Sequence, residues 1–163
     1  MNGMEAFESL DYGPAKEGDE TAMQWLKDHG GKFGHFINGA FTKPNNLFET
    51  RNPATGEVLA EISQGSEKDV NDAVETALKA QAAWEKLGGS GRARHLYAMA
   101  RLVQKNSRLL AVLETLDSGK PIRESRDIDI PLVARHFYHH AGWAQLVEKE
   151  FPGHKAIGVA GQV

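Results

Sequence analysis

Leu113-Glu114-Thr115-Leu116-Asp117-Ser118-Gly119-Lys120-Pro121 ends a helix and turns the chain. Leu109, Leu113 and Leu116 recur at helical spacing, Gly119 is the residue that leaves a helix most easily, and Pro121 prevents the helix from resuming. Asp117 falls in the last turn, where the negative end of the helix dipole disfavours a carboxylate. Two readings of Asp117 stand. Its side chain caps the Ser118-Gly119 turn, or it meets a cation that offsets the unfavourable position.

Upstream of this stretch the pattern is first extended and then helical. Phe36-Ile37-Asn38-Gly39-Ala40-Phe41 sets Asn-Gly between apolar residues, the strongest short signal for a β-hairpin. Residues 48–51 and 58–62 read as strands around the turn Asn52-Pro53-Ala54-Thr55-Gly56, in which proline sets φ and glycine permits a positive one. Ser66 is placed to cap a helix, with Asp69 three residues on and Glu67 at the positive end of the dipole. Val70, Ala73, Val74, Ala77 and Trp84 keep helical spacing until Gly88-Gly89-Ser90-Gly91 breaks it. A second helix carries Leu96, Ala100 and Val103, and the quoted stretch closes a third.

Downstream, residues 122–147 read as one long helix with Ile128, Leu132, His136, His139, Trp143 and Leu146 along a stripe. His136, His139 and His140 lie on neighbouring faces of it. A metal site there needs further ligands, and the His-Glu-x-x-His pattern is absent, so aromatic packing beside Phe137, Tyr138 and Trp143 is the preferred reading. Asp127 and Asp129 suit the start of that helix electrostatically. Neither Gly88-Gly89-Ser90-Gly91-Arg92 nor Ser118-Gly119-Lys120-Pro121 has the spacing of a phosphate loop, and Pro121 removes an amide that would face a phosphate.

Residues 1–31 form an acidic, sparsely apolar leader with one amphipathic piece at Met23, Trp25 and Leu26. It reads as a flexible arm with a helical turn, or as an arm docked on a partner subunit through Trp25. The 163 residues suffice for a domain with a core, at 40% hydrophobic and 25% charged. A formal charge of −3 argues against a nucleic-acid surface, and no apolar run is long enough to span a bilayer, so neither partner is expected. There is no cysteine, which excludes disulfides, thiolate metal sites and a cysteine nucleophile. The first residues lack the basic start and apolar block of a signal peptide, and a cytoplasmic location is the default expectation.

Four stretches resemble, in order, motifs of the NAD(P)-dependent aldehyde dehydrogenase superfamily. Glu114-Thr115-Leu116-Asp117-Ser118-Gly119-Lys120-Pro121 is similar to its E-T-L-D-x-G-K-P signature, and Asn52-Pro53-Ala54-Thr55-Gly56-Glu57-Val58 to its N-P-x-T-G-E-V turn. His140-Ala141-Gly142-Trp143-Ala144 resembles Y-A-G-W-A, and Gly158-Val159-Ala160-Gly161-Gln162-Val163 resembles G-V-x-G-Q-I. The leader segment Phe7-Glu8-Ser9-Leu10-Asp11-Tyr12-Gly13-Pro14 resembles the start of the sixteenth family of that superfamily.

The resemblance implies an α/β parent enzyme with a Rossmann-like cofactor domain, of which this chain is a small β arm followed by four helices. Residues 1–31 are then the acidic arm. Residues 32–163 are the N-terminal part of the NAD(P)-binding domain, ending at the start of a core strand. It further implies a structural monovalent cation held by Asp117 with main-chain carbonyls of Thr50 and Arg51, Val163 at the edge of the NAD or NADP site, and Asp129 and Leu132 nearest the aldehyde entrance. Its partners are the remainder of the dehydrogenase chain, an aldehyde and further copies in a homo-oligomer. Only ten residues, 148–157, fill the place of the family's long oligomerising hairpin, and Pro152 and Gly153 among them cannot make two long strands. No catalytic residue is assigned. The alternative is a non-catalytic helical interaction module derived from such an enzyme.

Overall fold

The Asn-Gly hairpin forms as the sequence indicates. In a computed structural model, which describes residues 18–152, β2 (Phe36–Ile37) pairs antiparallel with β3 (Ala40–Phe41). Asn38 and Gly39 both take positive φ, 56° and 76°, as a type I′ turn requires. The Asn-Pro turn likewise joins two antiparallel strands, β4 (Leu47–Arg51) and β5 (Val58–Ser63). β1 (Lys32–Phe33) adds to β5 in parallel, giving the order β1-β5-β4. A register shift between Thr50 and Arg51 bends β4 toward the turn.

The described part of the leader, residues 18–31, is more ordered than its composition implies. Residues Glu20–Asp28 form α1, and Ala22 and Leu26, one turn apart, are buried. Ala22 joins Val112 and Leu116 in a small core, against which Met23, Leu59, Leu109, Leu113 and Ile122 pack. Trp25 stacks on His29 and Phe33 of its own chain, with ring centroids 4.0 and 5.8 Å away. A short apolar pair at i and i+4 is enough to dock a helix whose surroundings are polar, and average composition does not register it.

Helix α2 (Glu67–Lys86) starts with a capping box. Ser66 Oγ accepts from the Asp69 amide, and the Asp69 carboxylate accepts from the Ser66 amide at 2.8 Å. The Ser66 hydroxyl also donates to Asp69 Oδ2 at 2.6 Å, and this bond, with that from the Ser66 amide, holds the Asp69 carboxyl below its ordinary value. Because the folded value is depressed, this contribution is complete above the ordinary carboxylate range and is lost as pH falls through the depressed value. Ser66→Ala removes a hydroxyl cap and is expected to destabilise the chain by about 1 kcal/mol in denaturant titration. The difference from the unmodified chain should shrink under acid conditions.

Helix α3 (Gly88–Lys105) packs along α6 (Ile130–Glu150) in the most extensive helix pairing of the described residues. Apart from Ile130 at the start of α6, the buried positions on both sides are small: Gly89, Ala93 and Ala100 on α3, Ala134 and Ala141 on α6. A Cβ on Gly89 would lie 2.1 Å from the Ala144 carbonyl oxygen, so the two backbones meet directly there.

α4 (Ser107–Ser118) ends on Gly119 in the left-handed region, φ 74°. The long helix expected over residues 122–147 is interrupted. A turn of helix, α5 (Ile122–Glu124), runs into a π-helical segment, Ser125–Asp129, before α6 begins. Pro131 explains the interruption: it has no N–H to donate, its ring would press on the carbonyl four residues back, and one extra residue in the turn makes room. The four helices expected after the β arm are therefore α2, α3, α4 and a composite of α5, the π turn and α6.

Candidate functional site

The two turns that frame the quoted stretch come together. Asn52 organises its turn by accepting the Ala54 amide on Oδ1 at 2.9 Å and the Gly56 amide on its carbonyl at 2.7 Å. Pro53 in that turn lies against Gly119, where an added Cβ would stand 2.7 Å from Pro53 Cγ. Positive φ and this close approach both require glycine at 119. The docking of the turns brings the end of β4 beside the last turn of α4, and the Thr50 hydroxyl donates to Asp117 Oδ1.

The Ser118-Gly119 turn is served by Ser118 rather than by Asp117. Ser118 Oγ donates to the Glu114 carbonyl at 2.6 Å, and the Gly119 amide donates to the Thr115 carbonyl at 2.9 Å. Asp117 is thus directed to Thr50, and among the described residues no basic side chain pairs with it. Arg51, the third residue expected at a cation, turns its guanidinium to Glu49 and to the Gly56 carbonyl, the latter at 2.8 Å. Carboxylate and hydroxyl at the negative end of a helix form a hard oxygen set, which suits a hard cation. Beside them opens a groove of about 400 Å³, lined mainly by apolar groups that include Trp25, Phe33, Leu59 and Leu113.

Lys120 completes the joint, and sequence reasoning missed it. Its ammonium donates to Asp129 at 2.7 Å and to Glu114 at 3.3 Å, tying the end of the π segment to α4. Asp129, and after it Glu114, raises the Lys120 pKa above the ordinary lysine value. A raised value means that the tie is complete below the ordinary lysine range and is lost as pH climbs through the raised value. The only sequence signal was a lysine between two acids, six residues before it and nine after, a spacing with no meaning until the turn is folded. Asp129 is therefore engaged on the α4 side, while Leu132, 41% exposed, lies open on the surface. Ser125 is buried at the start of the π turn and receives a hydrogen bond from the Thr115 hydroxyl at 3.0 Å.

His136, His139 and His140 are exposed on α6 and make ring contacts with one another and with Trp143. Among the described residues no three His, Cys, Asp or Glu side chains are grouped to hold a metal ion. No helix among them is long and apolar enough to cross a membrane. Val163, the Gly158–Val163 motif, the short 153–157 segment and the Phe7–Pro14 leader lie outside the described residues.

The aldehyde dehydrogenase family matches residues 41–160. Aldehyde dehydrogenase family 2 member B4, mitochondrial, from Arabidopsis thaliana is 39% identical over 142 residues, covering 80% of this chain and 26% of the relative. A Bacillus subtilis relative described as putative aldehyde dehydrogenase DhaS is 37% identical over 142 residues, 78% of this chain and 29% of its own length. An NAD+ complex of an aldehyde dehydrogenase from Bacillus cereus superposes with a TM-score of 0.66 at 34% identity, over 72% of this chain and 25% of that one. HpcC from Thermus thermophilus gives 0.70 at 29% identity, over 77% and 25%. The chain belongs to the aldehyde dehydrogenase family. It spans between a quarter and three tenths of the length of the curated relatives it matches.

Proposed function

We propose that this chain is the N-terminal part of an NAD(P)-dependent aldehyde dehydrogenase that oxidises aldehydes to carboxylic acids. The observation that carries the reading is the joint itself: the two turns most similar to family motifs dock through Pro53 and Gly119 and set Thr50 on Asp117. NAD or NADP would accept the hydride in the whole enzyme, and a solved relative is an NAD+ complex. This chain would support that chemistry from outside. Asp117, with carbonyls of Thr50 and Arg51, would hold a monovalent cation that ties β4 to α4. Asp129, oriented by Lys120, and Leu132 would border the aldehyde entrance, and Val163 would reach the cofactor edge. Pairing in a homo-oligomer and a cytoplasmic location belong to the same reading, as does the narrower likeness to the sixteenth family, which rests on the leader.

The chemistry needs a thiolate that attacks the aldehyde carbon, and the 163 residues contain no cysteine. Purified chain is therefore expected to form no NADH from short or aromatic aldehydes, and to bind NAD or NADP no better than millimolar in calorimetry. Turnover that survives removal of contaminating enzyme would overturn this. The same lack of cysteine favours a second reading, a non-catalytic interaction module derived from the enzyme. Following the reading frame in the transcript beyond Val163 separates them, since the first reading requires it to continue into a cysteine-bearing catalytic part.

A further inference from the structure

We propose that His136 and His140 form a two-point chelate for a divalent transition-metal ion on the exposed face of α6. The two residues stand one helical turn apart, and their rings are nearly parallel, with centroids 6.4 Å apart and planes inclined by 18°. Both are exposed, and their only contacts among the described residues are with other rings, so no hydrogen bond or ion pair occupies the ring nitrogens.

The i, i+4 spacing lets side-chain rotation bring one nitrogen of each ring to a shared ion. The ion would then be held by metal–nitrogen bonds of about 2.0–2.1 Å from each imidazole. An i, i+4 histidine pair on a helix is the donor arrangement that zinc-binding helices use. His139 does not extend the set. It lies edge-on to His140 at 5.3 Å and leans toward Trp143, and among the described residues no third protein donor is grouped with the pair. Water would complete the coordination sphere, which suits ions that accept imidazole without a closed protein cage: copper(II), nickel(II) and zinc. Oxygen-preferring ions gain little from such a pair.

The test is titration of the full 163-residue chain, at concentrations below self-association, with copper(II), nickel(II), zinc and manganese(II). One ion per chain is expected, copper tightest and manganese weakest. His136→Gln and His140→Gln should each weaken copper binding by about 100-fold, because each leaves one donor of a chelate. His139→Gln should leave it within about twofold, since that ring is outside the pair. Retained affinity in either chelate variant overturns the proposal, as does equal loss in His139→Gln. Copper-induced broadening of amide resonances in the unmodified chain reads the location with no substitution. Broadening centred on residues 136–140 supports the pair, and broadening centred on His29, His35 or His95 overturns it.

Discussion

Gly89→Val is expected to be strongly destabilising. A Cβ at this position would be 2.1 Å from the carbonyl oxygen of Ala144, and that oxygen belongs to the backbone of α6. A flexible side chain could swing away from such a contact; a helix backbone cannot. α3 and α6 would have to move apart along a seam of small residues, and Ala93, Ala100, Ala134 and Ala141 are too short to refill the gap. Overpacking on this scale is expected to lower stability by about 3 kcal/mol or more, and the melting temperature by about 6–12 °C. Gly142→Ala on the same α6 is the control. No atom lies within 4 Å of the added Cβ, so replacing a helical glycine should raise stability by about 0.5–1 kcal/mol. Thermal and urea unfolding of the two variants measures both. If Gly89→Val melted like the unmodified chain, the close pairing of α3 and α6 would be wrong.

Self-association through uncovered apolar faces is the second large effect expected. Leu132, Val133, Trp143 and Leu146 on α6 are each more than 40% exposed. Helix α2 buries none of its residues and presents Val70, Val74, Leu78 and Trp84 to solvent, beside an apolar groove of about 530 Å³. Soluble monomers seldom expose contiguous apolar patches larger than about 300–600 Å². Sedimentation should therefore show species that grow with concentration, and hydrophobic dye should bind. Trp143→Ser should keep the fold, because the indole is 43% exposed, and should shift the distribution toward monomer with less dye bound. A compact monomer with no dye binding would overturn the expectation. Unfolding of Trp143→Ser would instead mark the ring as core.

Much of the local structure was legible in the residues. Asn38-Gly39, Asn52 to Gly56, Ser66 with Asp69, and Gly119 followed by Pro121 each carry a backbone requirement within a few positions, and each forms the turn or cap it indicates. The joint of the candidate site was half legible. The motifs place Asp117 and Thr50 in one neighbourhood, and the structure joins them through the Thr50 side-chain hydroxyl, a contact that no spacing indicates. The Arg51 side chain serves the Asn-Pro turn, which leaves its main-chain carbonyl as the group expected at a cation.

Other features depend on partners distant in sequence. The segment around Trp25 reads as a loose arm until Ala22 meets Val112 and Leu116 of α4, far along the chain. Pro131 looks tolerable within a long apolar stripe, and only the helix geometry shows that the turn before it must widen. Lys120 is one basic residue among many until the Gly119 turn swings it between Glu114 and Asp129. The sequence by itself determined the turns, the caps, the two antiparallel strand pairs and the family, because these depend on residues close together or on short ordered motifs. Tertiary structure alone decided the α3–α6 seam, the docking of α1 and the Thr50–Asp117 contact, because each needs two surfaces to approach and periodicity on one of them does not name the other.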